Sequence, residues 1–176
     1  MNKTYKSLII LIFLLLSLPS NAKSETTIAI LNMEFLMENS LAGKSIKKQL
    51  EDLRKKDIKS FKKTETKLKE EEKKLISQKN VLSEEDFKKN IILFRENLRN
   101  FNTLRANKLS SLNNKKKSSI TTLLKEINPI LTEFAKTNDI MIMIDKRNII
   151  LSKKELDITK KILEILDNKI KKIVLK

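Results

Sequence analysis

The chain has 176 residues, with 38 Lys and Arg against 22 Asp and Glu for a formal net charge of +16, and it contains no His, no Cys and one Gly. Without His or Cys it cannot form a Ser-His-Asp or Cys-His catalytic set or a zinc site of the usual ligands, and one glycine is too few for a nucleotide-binding loop. We therefore expect neither enzymatic activity nor a cofactor.

The first 22 residues have the pattern of a secretory signal peptide. Lys3 and Lys6 give a basic start, residues 7–18 are apolar, and small residues precede a predicted cleavage after Ala22. The apolar run is shorter than the ~20 residues of a membrane span, which argues against an uncleaved anchor. We predict export, and the mature chain must then be held together without disulfide bonds.

The mature chain begins with a short apolar segment. Residues 27–32 are almost continuously apolar, which is typical of a strand buried on both faces. Residues 33–39 are long enough for two helical turns. Asn39 and Ser40 offer capping oxygens for a long charged helix that begins at Leu41.

This long helix has a thin apolar stripe. Phe61, Leu68 and Leu75 recur every seven residues, as in a coiled coil. Intervening seam positions are charged at Glu65 and Glu72, so the helix needs a partner that supplies more apolar surface.

The partner is the next helix, which begins with a capping pattern at Ser83. Because both stripes repeat at seven, we predict an antiparallel hairpin with its tip near residues 78–82. A helix over residues 83–128 would be about 70 Å long, too long for a compact domain, so the hairpin must project as an arm. Pro129 marks a kink or a restart. The predicted seam of the hairpin comprises Phe61, Leu68, Leu75, Phe87, Ile91, Phe94, Leu98 and Phe101.

The C-terminal part alternates between short strands and one more helix. We expect Asn138 to end the long helix in a left-handed conformation, followed by a buried strand over residues 139–144. After a turn, residues 148–151 are predicted to pair back as a hairpin strand. Thr159 or Asp157 would cap the last helix.

The predicted fold class is mainly α with a small β-rich body, from which the long antiparallel helical hairpin arm projects. The signal peptide covers residues 1–22, the discontinuous body covers 23–41 and 130–176, and the arm covers 42–129. A body of under ~70 residues rarely has a core worth more than a few kcal/mol, so we expect oligomerisation through the body. The residues predicted to form this oligomer body are Ile28, Ile30, Ile140, Ile142 and Ile144.

Six short features follow one another along the mature chain. They are IAILN at 28–32, SLAGK at 40–44, LSEE at 82–85, Pro129, the strand within 139–146, and LDIT at 156–159. Together they resemble the OmpH-like (Skp) family of periplasmic chaperones. The sequence departs from that pattern at Asn32, where the family often has Asp, and at Asn138, where it often has Gly.

The resemblance implies a homotrimer whose three arms surround a cavity. It also implies an ATP-independent holdase that captures unfolded outer-membrane protein precursors in the periplasm. Peripheral contact with membrane lipids is open, and export argues against a nucleic-acid partner. The alternatives are a structural coiled-coil scaffold of the envelope and a basic lipid- or nucleic-acid-binding protein.

A holdase needs apolar surface outside its own packing seam, and lysines that attract acidic clients. Ile92 and Leu93 fall at positions that a two-helix hairpin leaves open. Isolated exposed apolar residues and solvated lysines are also ordinary surface features. The candidate client-binding residues are Ile76, Val81, Ile92, Leu93, Leu104, Lys62, Lys88 and Lys89.

Overall fold

The structure, a computed structural model, describes residues 27–175, and the predicted signal peptide lies outside the described residues. A strand pair and four helices make up the fold, which confirms the predicted mainly α class with a hairpin arm. In chain order the elements are β1 (Ile28–Leu31), α1 (Met33–Asn39), α2 (Leu41–Gln78), α3 (Glu84–Thr137), β2 (Ile142–Asp145) and α4 (Thr159–Lys169), with single 3₁₀ turns at Lys146–Asn148 and Lys154–Leu156.

The two strands pair in parallel, with Ile28 opposite Ile142 and Leu31 opposite Asp145. Parallel strands cannot be joined by a tight turn and need a long crossover, which here is the whole of α1, α2 and α3. On its other edge β1 receives a hydrogen bond from the Ile158 N–H to the Ile30 carbonyl oxygen at 2.9 Å. Within residues 27–175, β2 has no strand on its outer edge.

The predicted hairpin strand at residues 148–151 is wrong. Asp145 accepts hydrogen bonds from the backbone N–H and the guanidinium of Arg147, and the chain makes a 3₁₀ turn instead of a β-turn. The apolar residues that follow do not fold back onto β2. Ile150 is 105 % exposed and Leu151 is 90 % exposed.

The left-handed residue at the end of α3 is Asp139, with φ of 50°, and not Asn138 as predicted. The Ile140 N–H bonds the carbonyl oxygen of Ala135 at 2.9 Å, as in a Schellman motif. This cap uses the first residues of the predicted strand over 139–144, so β2 begins only at Ile142.

The hairpin consists of α2, with 38 residues, and α3, with 54, which correspond to about 57 Å and 81 Å of helix. The turn between them lies at residues 79–83, one residue beyond the predicted range of 78–82. The Ser83 side chain caps α3 by accepting from the Asp86 N–H at 3.1 Å. Helix α3 continues through Pro129, so a restart there is wrong. Burial of the neighbouring Ile127 and Ile130 holds the helix together around the exposed proline.

The hydrophobic core lies where the arm joins the strands and α4. Its fully buried side chains come from four helices, and it includes Ala42 and Ile46 at the start of α2 and Leu123 and Ile127 on α3. The core therefore extends into residues of the predicted arm range 42–129. Between residues 47 and 118 only Leu68 and Phe101 are buried.

The joint between α1 and α2 is tightly packed. Ser40 is completely buried, and its side chain caps α2 by accepting from the Gly43 N–H at 3.0 Å. A Cβ on Gly43 would lie 1.9 Å from the Met37 carbonyl oxygen, so only glycine fits there. Among residues 27–175, no helix has both the length and the apolar character of a membrane span.

Candidate functional site on the arm surface

The predicted seam residues differ in how deeply the hairpin buries them. Leu68 and Phe101 are buried, while Leu98, at 41 % exposure, is the most exposed of the eight. The seam is therefore a series of contacts and not a continuous dry interface. Its half-buried members are Phe61, Leu75, Phe87, Ile91 and Phe94.

A mixed aromatic and charged cluster ties the helices together in the middle of the arm. Phe61 of α2 meets Phe101 of α3 edge to face, with ring centroids 6.1 Å apart. The Arg105 guanidinium lies 5.9 Å and 5.6 Å from these ring centroids and 3.4 Å from the Glu65 carboxylate. Such aromatic and cation–π contacts contribute on the order of 0.5–1 kcal/mol each.

The role of Arg105 is not visible in the sequence pattern, where Glu65 stands only as a charge that weakens the seam of α2. Its partner lies on the other helix, 40 positions away, so spacing within one helix could not reveal the pair. The register of the hairpin had to be known first.

Two more polar contacts set that register. Lys108 lies 3.5 Å from Asp57, and the Asn97 side-chain N–H₂ donates to Glu71 at 3.4 Å. Exposed pairs of this kind each stabilise by less than about 1 kcal/mol. They mainly fix the alignment of α2 with α3, because they link the two helices at different positions along the hairpin.

The candidate apolar client contacts all lie on the exposed surface of the hairpin. Val81, in the tip turn, is 80 % exposed, and Ile92 on α3 is 63 % exposed. Burying one such side chain against a client is worth about 1.5–3 kcal/mol. The other predicted members, Ile76, Leu93 and Leu104, are exposed as well.

Two further exposed apolar residues of the arm, Ile58 and Leu109, were not among the predicted contacts. Ile58 lies on the heptad stripe of α2, and only the paired structure shows that it faces outward. Leu109 lies off the seam of α3 that Phe87, Phe94 and Phe101 define, so its exposure agrees with its spacing.

The candidate lysines are exposed, and two of them have partners. Lys88 lies 3.1 Å from Glu84, and Lys89 lies 3.4 Å from Glu85, one helical turn earlier. These pairs support the first turns of α3. Lys62 is exposed on α2.

Helix α3 carries a long stretch without acidic residues. From Asn97 to Lys125 there is no Asp or Glu, whereas basic residues recur. Arg105 and Lys108 are paired with carboxylates of α2, while Lys116 and Lys117 are exposed. Counting charges segment by segment along the sequence would have found this feature.

The body has an exposed apolar surface of its own. Of the predicted oligomer residues, Ile30 is buried, Ile28 and Ile142 are exposed, and Ile140 and Ile144 are half-buried. Three further apolar residues are exposed and were not predicted as oligomer contacts: Met141 directly before β2, and Ile150 and Leu151 in the loop after it.

Ion pairs organise the turn that follows β2. Lys146 lies 2.7 Å from Asp157. Burial of Asp157 opposes its ionisation, but hydrogen bonds from Lys146 and Thr159 prevail and hold its pKa below the usual value. Hydrogen bonds from Arg147 likewise lower the pKa of Asp145. In the described part of the chain, no cluster of three or more acidic residues could hold a metal ion.

Comparison with known proteins identifies the relatives of this fold. The sequence model of the family described as outer membrane protein (OmpH-like) matches residues 27–166. A solved structure from Caulobacter crescentus CB15, described as a candidate outer membrane chaperone (OmpH-like), superposes with a TM-score of 0.80. The two sequences are 15 % identical, and the match covers 85 % of this chain and 88 % of the other. No curated protein matches the sequence.

Proposed function

The chain belongs to the OmpH-like family, and on that premise we propose that it is an ATP-independent periplasmic holdase, which binds unfolded outer-membrane proteins and prevents their aggregation. The observation that carries the proposal is the row of exposed apolar side chains on a long, sparsely packed hairpin. The OmpH-like chaperone description of the structural neighbour supports the same class of activity.

Capture would depend on several weak apolar contacts. Val81 at the tip and Ile92 on α3 each offer a surface whose burial stabilises by about 1.5–3 kcal/mol. An unfolded chain that covers a few of them gains enough to compete with aggregation. It leaves when its own folding buries the same apolar groups, so no nucleotide hydrolysis is required.

Charge would act before the apolar contacts form. Loss of Lys3 and Lys6 with the signal peptide leaves +14 of the formal net charge of +16, and this charge and the acid-free stretch of α3 create a positive field that attracts acidic segments of a client. Salt screens this field over about 10 Å at 0.1 M, so association should slow in high salt while the bound state persists. Association rates that do not change with salt would contradict this step.

The body would join three copies of the chain. The outer edge of β2 is unpaired within residues 27–175, and the fully exposed Ile150 and Leu151 lie in the loop after it. An open strand edge beside apolar residues favours pairing with another chain. We include a homotrimer in the proposal, with the arms free to surround a client, and a native mass measurement tests it.

Export would place this activity in the periplasm, where ATP is not available as fuel. The supporting feature is the signal-like pattern of residues 1–22. A mature N-terminus at Lys23 in the secreted protein would agree with it, and one at Met1 would contradict it.

Aggregation of a β-barrel membrane protein diluted from urea tests the holdase directly. At stoichiometric ratio and without nucleotide, the full chain should suppress light scattering. Replacing Ile92 and Leu93 together by Asp should weaken client retention without unfolding the arm, because both side chains are exposed.

The matched control replaces Asn102 and Thr103 by Asp, which adds the same charge at exposed polar positions of the same helix. Equal suppression by both double variants and the parent would show that the Ile92 and Leu93 site is wrongly assigned. If the unmodified protein does not suppress light scattering, the alternative of a structural coiled-coil scaffold is favoured. Salt-sensitive co-sedimentation with vesicles of anionic lipid would favour the lipid-binding alternative.

A further inference from the structure

The residues that follow α4 leave the helix and run along the base of the arm. Ile170 has extended backbone angles, with φ of −138° and ψ of 103°. Ile173 is buried in the main core, while Ile170 and Leu175 pack against it. We call residues 170–175 the C-terminal segment.

Gln49 of α2 binds the backbone of the C-terminal segment at two points. Its side-chain N–H₂ donates to the Ile173 carbonyl oxygen at 2.7 Å, and its side-chain oxygen accepts from the Leu175 N–H at 3.3 Å. The carboxamide thus takes the place of a peptide group of a neighbouring strand. The same N–H₂ also contacts the Ser45 carbonyl oxygen at 3.2 Å, which fixes its orientation on α2.

Gln49 lies at the end of the part of α2 that packs on the body core. Ile46 and Leu50 belong to or pack against the body core, and among the described residues no α2 residue beyond Leu50 does. Gln49 therefore lies at the level where the helix leaves the body and becomes the arm.

The end of α4, just before the C-terminal segment, is also attached to both arm helices. The Asp167 carboxylate accepts from the Leu41 N–H at 2.7 Å, which places a negative charge at the N-terminus of α2. The Lys169 ammonium lies 3.1 Å from the Glu133 carboxylate of α3. Helix α4 and the segment after it thus contact α2 and α3 close to the core.

From these contacts we infer that the C-terminal segment is a clasp that sets the direction in which the arm leaves the body, with Gln49 as its positioning residue. The 29 residue steps from Gln49 to Gln78 span about 44 Å of helix, so a pivot of about 10° at Gln49 moves the tip by about 8 Å. Loosening the contact between Gln49 and the C-terminal segment therefore changes how far the tip of the arm lies from the body. The clasp itself does not depend on the proposed client binding.

Gln49→Ala in the full-length protein tests the clasp. The natural sequence has no cysteine, so spin labels can be attached at Asn80→Cys on the tip and Lys160→Cys on α4. Labelled chains are diluted with unlabelled ones, so that distances are measured within single chains. We expect a broader tip-to-body distance distribution, shifted by several ångströms, and at least tenfold faster amide exchange at Leu175.

Gln78→Ala is the matched control, since it makes the same change at the other end of α2 and should alter neither measurement. Gln49→Glu keeps an acceptor for the Leu175 N–H but places a carboxylate oxygen against the Ile173 carbonyl oxygen, so it should also loosen the segment. If Gln49→Ala lowers the helix content of the protein, the two measurements are made on Gln49→Glu instead.

Faster exchange at Leu175 with an unchanged distance distribution would overturn the clasp, because the segment would then only cover the core. Unchanged exchange at Leu175 would overturn the role of Gln49. Neither measurement includes a client, so both remain informative if the holdase proposal fails.

Discussion

The body and the arm share the helices α2 and α3, but different forces hold them. In the body these helices bury Ile46, Leu123 and Ile127 in a common core with α4. In the arm, between residues 47 and 118, only Leu68 and Phe101 are buried. The body is stabilised by apolar burial, whereas the arm depends on helix formation, charge pairs and a few seam contacts.

The difference shows how one chain can combine a stable core with exposed apolar surface. Apolar residues that pack in the body are unavailable to a partner, while the sparse arm leaves Val81, Ile92 and Leu109 exposed. Regions with few buried contacts also open locally at lower free energy than a core. We therefore expect the arm to be the more dynamic part.

The largest expected effect contrasts one leucine in each region. Leu166→Ala removes a fully buried side chain of α4 and should lower the free energy of unfolding by about 2–5 kcal/mol. Leu98→Ala, in the partly exposed arm seam, should cost less than about 1 kcal/mol. Urea unfolding followed by circular dichroism, at one fixed protein concentration, measures both. Similar losses at the two sites would contradict the contrast.

The second largest effect is expected at the joint between α1 and α2. Gly43→Ala places a methyl group against the Met37 carbonyl oxygen and should cost about 1–3 kcal/mol. The higher helix propensity of alanine recovers at most about 1 kcal/mol of this. Thermal unfolding is the measurement, and Lys44→Ala at the exposed neighbouring position should be nearly silent. A Gly43→Ala protein as stable as the parent would show that the joint can relax.

A pH-dependent contribution is expected from Asp157 in the body. Its lowered pKa means that the ionised form stabilises the fold, fully above the unfolded-state value near 4, with loss as the pH falls through the lower folded value. Asp157→Asn should therefore cost about 1 kcal/mol at pH 7 and progressively less below pH ~4. Thermal unfolding across pH measures this, with the exposed Asp52→Asn as control. A difference that is constant from pH 7 to 2 would rule out the ionised carboxylate as its source.

The smallest effect is expected in the middle of the arm. Arg105→Ala removes the contacts with Glu65, Phe61 and Phe101 and should weaken the hairpin by about 0.5–1 kcal/mol. Amide exchange along the arm should rise there and remain unchanged in α4. Arg99→Ala, an exposed arginine one and a half turns away, is the control. Equal effects of the two variants would mean that Arg105 acts only through its charge.

Local patterns predicted much of the arm. The heptad spacing of Phe61 and Leu68 and the capping pattern at Ser83 depend on neighbouring residues alone, and the two long helices and their turn lie where these patterns indicate. The exposed state of Ile92 and Leu93 also follows from their positions relative to the seam. Their role in client binding remains a prediction.

The body was harder to predict, because its pairings join distant segments. The continuous apolar run that includes β2 indicates a strand, but it cannot show that the partner of β2 is β1, more than a hundred residues earlier. The run at residues 149–151 has the composition of a strand and yet has no partner within the described chain. Similarly, Gln49 is an ordinary helix residue until the C-terminal segment lies against it.

The sequence by itself determined the long helices, the turn between them, the positive charge and the lack of His and Cys side chains, because these depend on composition and on contacts within a few residues. Tertiary structure alone decided the parallel pairing of β1 with β2, the cluster around Arg105, the attachment of the C-terminal segment and the exposure of Ile150. The physical reason is the distance along the chain. Each of the first three features joins groups that meet only after the hairpin and the core have formed. Ile150 is exposed because residues 27–175 offer no segment that covers it.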